Sequence, residues 1–86
     1  MLMSFRQSVN SFLDHLRIER GLAANSIAAY ERDLRKLIEY FDAQSVDTSA
    51  VSSSDITAFE SSLKANELAP ASINRIMSAV RTFYKY

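Results

Sequence analysis

Cysteine is absent from this sequence of 86 residues, and glycine, proline and histidine each occur once. The lack of cysteine excludes disulfides and thiolate metal sites. Sheet-rich folds need many tight turns, so the scarcity of glycine and proline favours helices joined by short polar connections. No apolar run approaches the roughly 20 residues that span a bilayer, and the N-terminus lacks a signal-peptide layout. We therefore expect a soluble cytoplasmic protein without a membrane partner.

Residues that could carry catalysis are also scarce. His15 is the only histidine, and it lies off the apolar stripe of its helix, which is typical of a solvated surface residue. The sequence has no glycine-rich phosphate loop and no metal-ligand spacing. The serines at 52–54 have no histidine or lysine placed to activate a nucleophile. We accordingly predict no catalytic residue, no metal, no cofactor and no small-molecule substrate for this chain.

Apolar residues make up 48% of the chain and charged residues 23%, which is typical of a globular domain with a single core. Apolar positions recur at helical spacing in four stretches. Helix-start signals precede three of them: Ser4 with Gln7, Ser52 with Asp55, and Pro70 at a first helical position. The prediction is one all-α domain over residues 1–86, a four-helix bundle with helices at about 4–20, 23–43, 52–65 and 70–86.

Two helix ends and one apolar face are further predictions. Gly21 and Asn66 are the residues expected to take the left-handed conformation after the first and third helices. The inward stripe of the fourth helix is assigned to six residues, which are Ile73, Ile76, Met77, Val80, Phe83 and Tyr84.

Charge is unevenly distributed along the chain, although ten basic and ten acidic residues cancel. Residues 44–69 carry one lysine against four acids, whereas residues 70–86 carry three basic residues and no acid. The outward stripe of the fourth helix contains Asn74, Arg75, Ser78, Arg81, Thr82 and Lys85. On the second helix Asn25, Arg32 and Lys36 fall on a comparable face. These side chains suit contacts to phosphates and base edges. The alternative is that any exposed helix carries Lys and Arg, but ordinary surfaces mix both signs.

The second and fourth helices begin alike. Each has an alanine, Ala23 or Ala69, at the expected N-cap, where it offers no side-chain oxygen to the first N–H groups. Each then has a serine, Ser26 or Ser72, in its first turn. Such a start can accept a phosphate through its free N–H groups and its dipole. The alternative, which the sequence leaves equally open, is that the serines cap their own helices.

The same stretches resemble a known family. Phe12-Leu13, then Glu19-Arg20-Gly21-Leu22 and the run from Asn25 to Leu34, resemble the start of tyrosine recombinases of the Xer/phage-integrase family. The run from Ala71 to Tyr86 resembles the last helix of that family's N-terminal, core-binding domain. The resemblance covers essentially the whole chain.

This resemblance implies a SAM-like four-helix bundle that forms half of a C-shaped clamp around a recombination site, with its second and fourth helices facing DNA. Together with the outward stripes it gives eleven candidate DNA contacts, which are Asn25, Ser26, Tyr30, Arg32, Lys36, Ser72, Asn74, Arg75, Ser78, Arg81 and Lys85. The family usually has Ser or Thr at the position of Ala23 and often at Ala69, so two expected hydroxyls are missing here.

The resemblance also implies partners and a division of labour. The family's catalytic residues belong to a second domain that this sequence does not contain, so the fragment itself is not expected to cut DNA. Because the fourth helix is still periodic at Tyr86, we expect the chain to be excised from a longer recombinase. Its expected partners are double-stranded DNA and other protomers, as a tetramer on paired sites. The rival hypothesis is a small helical protein–protein interaction module whose acidic segment, residues 44–69, meets a basic partner.

Overall fold

The computed structural model describes residues 4–86, which form four helices and no strand. The helices are α1 Phe5–Ile18, α2 Ala24–Gln44, α3 Ser53–Ala65 and α4 Pro70–Lys85. The predicted all-α class and the number of helices are confirmed. The largest boundary error is at α1, which ends at Ile18 instead of near Arg20.

Two helices begin with the predicted capping boxes. The Ser4 hydroxyl accepts from the Gln7 N–H at 3.1 Å, and the Gln7 side chain accepts from the Ser4 N–H at 2.8 Å. Ser52 and Asp55 make the same reciprocal pair at 3.2 and 2.9 Å. Each box satisfies backbone donors that the helix itself cannot bind, so the starts of α1 and α3 are fixed locally.

Two predicted left-handed positions have different outcomes. Gly21 does take this conformation, with φ of 62°. For Asn66 the prediction is wrong, because its φ is −86° and the left-handed residue is Glu67, with φ of 61°. The later turn lets the Leu68 N–H donate to the Leu63 carbonyl at 3.3 Å and brings Leu68 against the core. The gain from packing this leucine offsets the strain of a left-handed glutamate.

The core lies where α1, α2, α3 and α4 converge, with α2 packed against both α1 and α4 and with α3 against α4. Eight of its side chains are less than 2% exposed: Phe12, Leu16, Leu34, Leu37, Phe41, Phe59, Ile76 and Val80. Phe12 contacts Tyr30 and Phe83 edge to face, with centroid distances of 5.8 and 5.4 Å. These contacts fix α2 and α4 to the same side of α1.

Two side chains lie elsewhere than predicted. Tyr84 is 45% exposed and is not part of the buried face of α4. One residue along a helix is a rotation of about 100°, and Phe83 takes the inward position, with Ala79 buried as well. His15 is half-buried instead of solvated, because its ring lies 4.9 Å from that of Tyr86.

Candidate nucleic-acid interface

A shallow cleft of about 290 Å³ separates α2 from α4. Four of the predicted DNA contacts line it, namely Ser26, Tyr30, Arg75 and Ser78. The remaining lining residues are Ala29, Asp33 and Ala79. The small alanines let the two helices approach closely, so polar groups far apart in the sequence share one surface.

Asp33 and Arg75 form an ion pair at the bottom of this cleft. The carboxylate accepts from Nε of Arg75 at 3.1 and 3.3 Å and from Nη2 at 3.0 Å. The side chain of Asp33 is 4% exposed, whereas that of Arg75 is 57% exposed. The hydrogen bonds and the charge of Asp33 raise the pKa of Arg75 above its ordinary value. Arg75 therefore stays fully charged and is held against α2 by its inner edge.

Asp33 is the residue that the sequence analysis missed. It lies in α2, three residues after Tyr30, and shares the buried face of this helix with Leu34 and Leu37. An acid within an apolar stripe is rarely buried without a partner. The helical spacing of Asp33 from Tyr30 and Leu37 could therefore have indicated a buried acid with a basic partner. The identity of the partner, however, depends on how α4 packs against α2.

The starts of α2 and α4 differ from those of α1 and α3. Within residues 4–86, no side chain hydrogen-bonds to the first N–H groups at either Ala23 or Ala69. Ser26 is exposed and Ser72 is half-buried, and neither caps its own helix. Each of the two helices thus presents unsatisfied N–H groups with the positive end of its dipole.

The cations of the chain divide into paired and unpaired groups. Arg6, Arg17, Arg35 and Arg75 each form an ion pair with a carboxylate. The other Lys and Arg side chains make no ion pair within the described part of the chain, and these are Arg20, Arg32, Lys36, Lys64, Arg81 and Lys85. All of these unpaired cations are exposed. Four of them, Arg32, Lys36, Arg81 and Lys85, are predicted DNA contacts on α2 and α4.

The remaining predicted contacts lie outside this cleft. Asn25 is exposed in the first turn of α2. Lys36 borders a hollow between α2 and α3, and Asn74 borders another between α3 and α4. Lys85 lies at a third hollow, where α4 meets α1, together with Arg20. The structure therefore joins four candidates in one cleft and leaves the other seven elsewhere on α2 and α4.

A family model described as "Phage integrase, N-terminal SAM-like domain" matches residues 9–86. The chain belongs to this family.

Curated relatives of this SAM-like domain are tyrosine recombinases by name. The chain is 36% identical over 80 residues to the tyrosine recombinase XerD of Listeria monocytogenes, covering 91% of this chain and 27% of the relative. It is 35% identical over 78 residues to XerD of Vibrio cholerae, covering 91% and 26%. For the tyrosine recombinase XerC of Herpetosiphon aurantiacus, the identity is 35% over 82 residues, covering 94% and 27%. No solved structure gives a significant match.

The resemblance that the residues suggested is thereby confirmed: this is an N-terminal SAM-like domain of the tyrosine recombinase type. The chain spans about a quarter of the length of these relatives. Within residues 4–86, the SAM-like domain holds no cluster of three metal-ligating side chains. None of the helices described here is both long and apolar enough to cross a membrane.

Proposed function

We propose that this domain binds double-stranded DNA through the face formed by α2 and α4 and holds a tyrosine recombinase on its recombination site. The observation that carries the proposal is the cleft. It collects Ser26, Tyr30, Arg75 and Ser78 from α2 and α4, and the same two helices carry exposed cations without carboxylate partners. Hydroxyl, guanidinium and ammonium groups are the donors that phosphate oxygens accept.

Most contacts of this face are expected to be to phosphates, with limited base readout. The unpaired cations Arg32 and Lys36 lie on α2, and Arg81 and Lys85 on α4, so both helices can neutralise backbone charge. The free N–H groups at the starts of α2 and α4 supply further donors. Phosphate contacts fix the register of a protein on the duplex without reading its sequence.

In the parent enzyme, this domain would supply half of a clamp, and a companion domain would break and rejoin the strands. The names of the relatives support this role. The proposed partners are double-stranded DNA and further recombinase protomers, assembled as a tetramer on paired sites. Isolated affinity is expected to be weak, since half a clamp lacks the avidity of the whole.

The rival protein-interaction role depends on the acids of residues 44–69. Asp47 is engaged by the Ser49 backbone N–H and hydroxyl, which lower the pKa of Asp47. Asp55 is engaged in the capping box of α3. Neither set of hydrogen bonds removes a charge, so the segment keeps its four carboxylates, with Asp47 and Glu67 exposed and Asp55 and Glu60 half-buried. The rival role therefore keeps its charges, and experiment must separate the two roles.

Salt-dependent DNA binding separates the two roles. If about four phosphates are neutralised, log K should fall with log salt at a slope of roughly −3 to −4. Replacing Arg32 and Arg81 together by Gln should reduce the magnitude of the slope by about 2. Circular dichroism should show that helicity is retained, since neither side chain is buried or paired.

Lys64→Gln is the matched control, because Lys64 is an exposed, unpaired cation on α3. It should leave the slope unchanged. Equal effects of the Lys64 variant and the Arg32/Arg81 variant would contradict a specific α2/α4 face. Binding that does not depend on salt would contradict phosphate contacts altogether.

A further inference from the structure

The Asp33 carboxylate carries a charge opposite in sign to that which a simple DNA-binding surface requires. A buried carboxylate at the bottom of the cleft lowers the positive potential of that surface. Desolvating a carboxylate is also costly, and a buried ion pair is weak evidence for stability. Two other α2 acids, Glu31 and Asp42, form exposed ion pairs. Of these three acids only Asp33 is buried, and its one partner is Arg75. The effect of Asp33 on Arg75 is therefore the basis for assigning it a role.

The geometry of the pair leaves half of the guanidinium available. A guanidinium has five N–H donors in one plane. Asp33 binds the Nε edge, which comprises the Nε–H and one N–H of Nη2. Both N–H groups of Nη1 and the second one of Nη2 remain. The Arg75 side chain is 57% exposed and lines the cleft together with Ser26 and Ser78, so these three donors are accessible to a ligand.

We propose that Asp33 is a positioning residue, which locks the Arg75 guanidinium so that its outer edge receives one backbone phosphate in the α2/α4 cleft. The inference rests on the proposed DNA binding and adds a residue to it. A flexible arginine loses rotamer freedom when it binds a phosphate, and Asp33 removes that freedom before DNA arrives. Buried in this way, the carboxylate itself does not touch the DNA.

Asp33→Asn tests the proposal through the direction of its effect. The substitution removes one negative charge, so long-range electrostatics alone predict tighter DNA binding. Positioning predicts the reverse, because the neutral amide holds the guanidinium less firmly. We expect binding to a duplex at low ionic strength to weaken by about 3- to 10-fold, the scale of one freed side chain.

Glu31→Gln is the matched control. It removes the same charge from the same helix, at an exposed acid paired with Arg35 at 2.9 Å. This variant should bind DNA as tightly as the wild type or more tightly. Arg75→Lys, which keeps the charge but loses the planar fork, should weaken binding about as much as Asp33→Asn. The double variant should be no weaker than either single one, since the two residues act as a unit.

A measurement on the wild type covers the case in which Asp33→Asn fails to fold. The Arg75 Nε–H, followed by NMR, should exchange with water more slowly than that of Arg20, an exposed, unpaired arginine outside the candidate DNA contacts, both free and with DNA bound. Exchange of Arg75 as fast as that of Arg20 in the complex would show that Arg75 leaves Asp33 to bind DNA, and the proposal would be overturned.

The failures of the two proposals are distinguishable. If a folded Asp33→Asn variant binds as tightly as Glu31→Gln, positioning is overturned while DNA binding stands. If Arg75→Gln has no effect on binding, the phosphate subsite is overturned and the rest of the face stands. If the wild type binds no duplex at any salt concentration, the proposed function fails and this inference fails with it.

Discussion

The rings of Phe12 on α1 and Phe83 on α4 meet edge to face, with their centroids 5.4 Å apart. Phe12 also contacts Tyr30 of α2 at 5.8 Å, and Tyr30 lines the cleft between α2 and α4. One buried ring thus joins three helices directly beneath the proposed DNA-binding face. The position of that face depends on the core contact.

Phe12→Ala should therefore be strongly destabilising. Phe12 is 1% exposed, and truncating a buried phenylalanine costs about 3–5 kcal/mol. Urea denaturation should show this loss as a lower midpoint. Ile18→Ala on the same helix is the control, since Ile18 is 66% exposed and should change stability by less than about 0.5 kcal/mol. Similar losses for both variants would contradict the assigned core.

Gly21 should tolerate asparagine better than alanine. Its φ is 62°, and a Cβ added there would meet nothing within 4 Å. The cost of Gly21→Ala is therefore one of backbone strain alone, about 1–2 kcal/mol. Asparagine adopts the left-handed region more readily, so Gly21→Asn should lose less stability than Gly21→Ala in thermal melts. A smaller loss with alanine than with asparagine would show that the left-handed turn is not retained.

Tyr84 should titrate later than an ordinary tyrosine. The partial burial of its side chain, followed by the charge of Asp55, raises its pKa from 10.0 to about 12. Because the folded-state pKa lies above the unfolded one, the contribution of Tyr84 to stability is fully present below pH about 10 and is lost as the pH rises through about 12. Ultraviolet titration of the wild type and of Tyr84→Phe should differ by one late-titrating tyrosinate. If the tyrosinate that Tyr84→Phe removes is instead one that titrates near pH 10, the assignment is contradicted.

The elements that could be predicted from sequence are those that depend on neighbouring residues. The capping boxes at Ser4 and Ser52 connect groups three residues apart, and Pro70 restricts its own φ. The left-handed turn after α3 falls on Glu67 instead of Asn66, because the packing of Leu68 determines where the chain must turn. Such packing is a tertiary effect that local propensity does not contain.

The candidate site shows the same division. Outward-facing donors on α2 and α4 could be read from helical spacing. That four of these residues line one cleft could not be predicted, because it depends on how α2 and α4 pack against each other at Ala29 and Ala79. Arg75 was predicted as a DNA contact on the outward stripe of α4, but its ion pair with Asp33, 42 residues away, was not predicted. Pairing between residues so far apart in the sequence can be identified only from the packed structure.

NMR mapping of the residues that contact duplex DNA tests most directly the central claim, which is that DNA binds the α2/α4 face. Backbone amide shifts would be followed during titration at low ionic strength. We expect the largest changes in the first turns of α2 and α4 and around Tyr30, Arg75, Ser78 and Arg81, with little change in α3. Shifts concentrated in residues 44–69, or no shifts at all, would contradict DNA binding through the α2/α4 face.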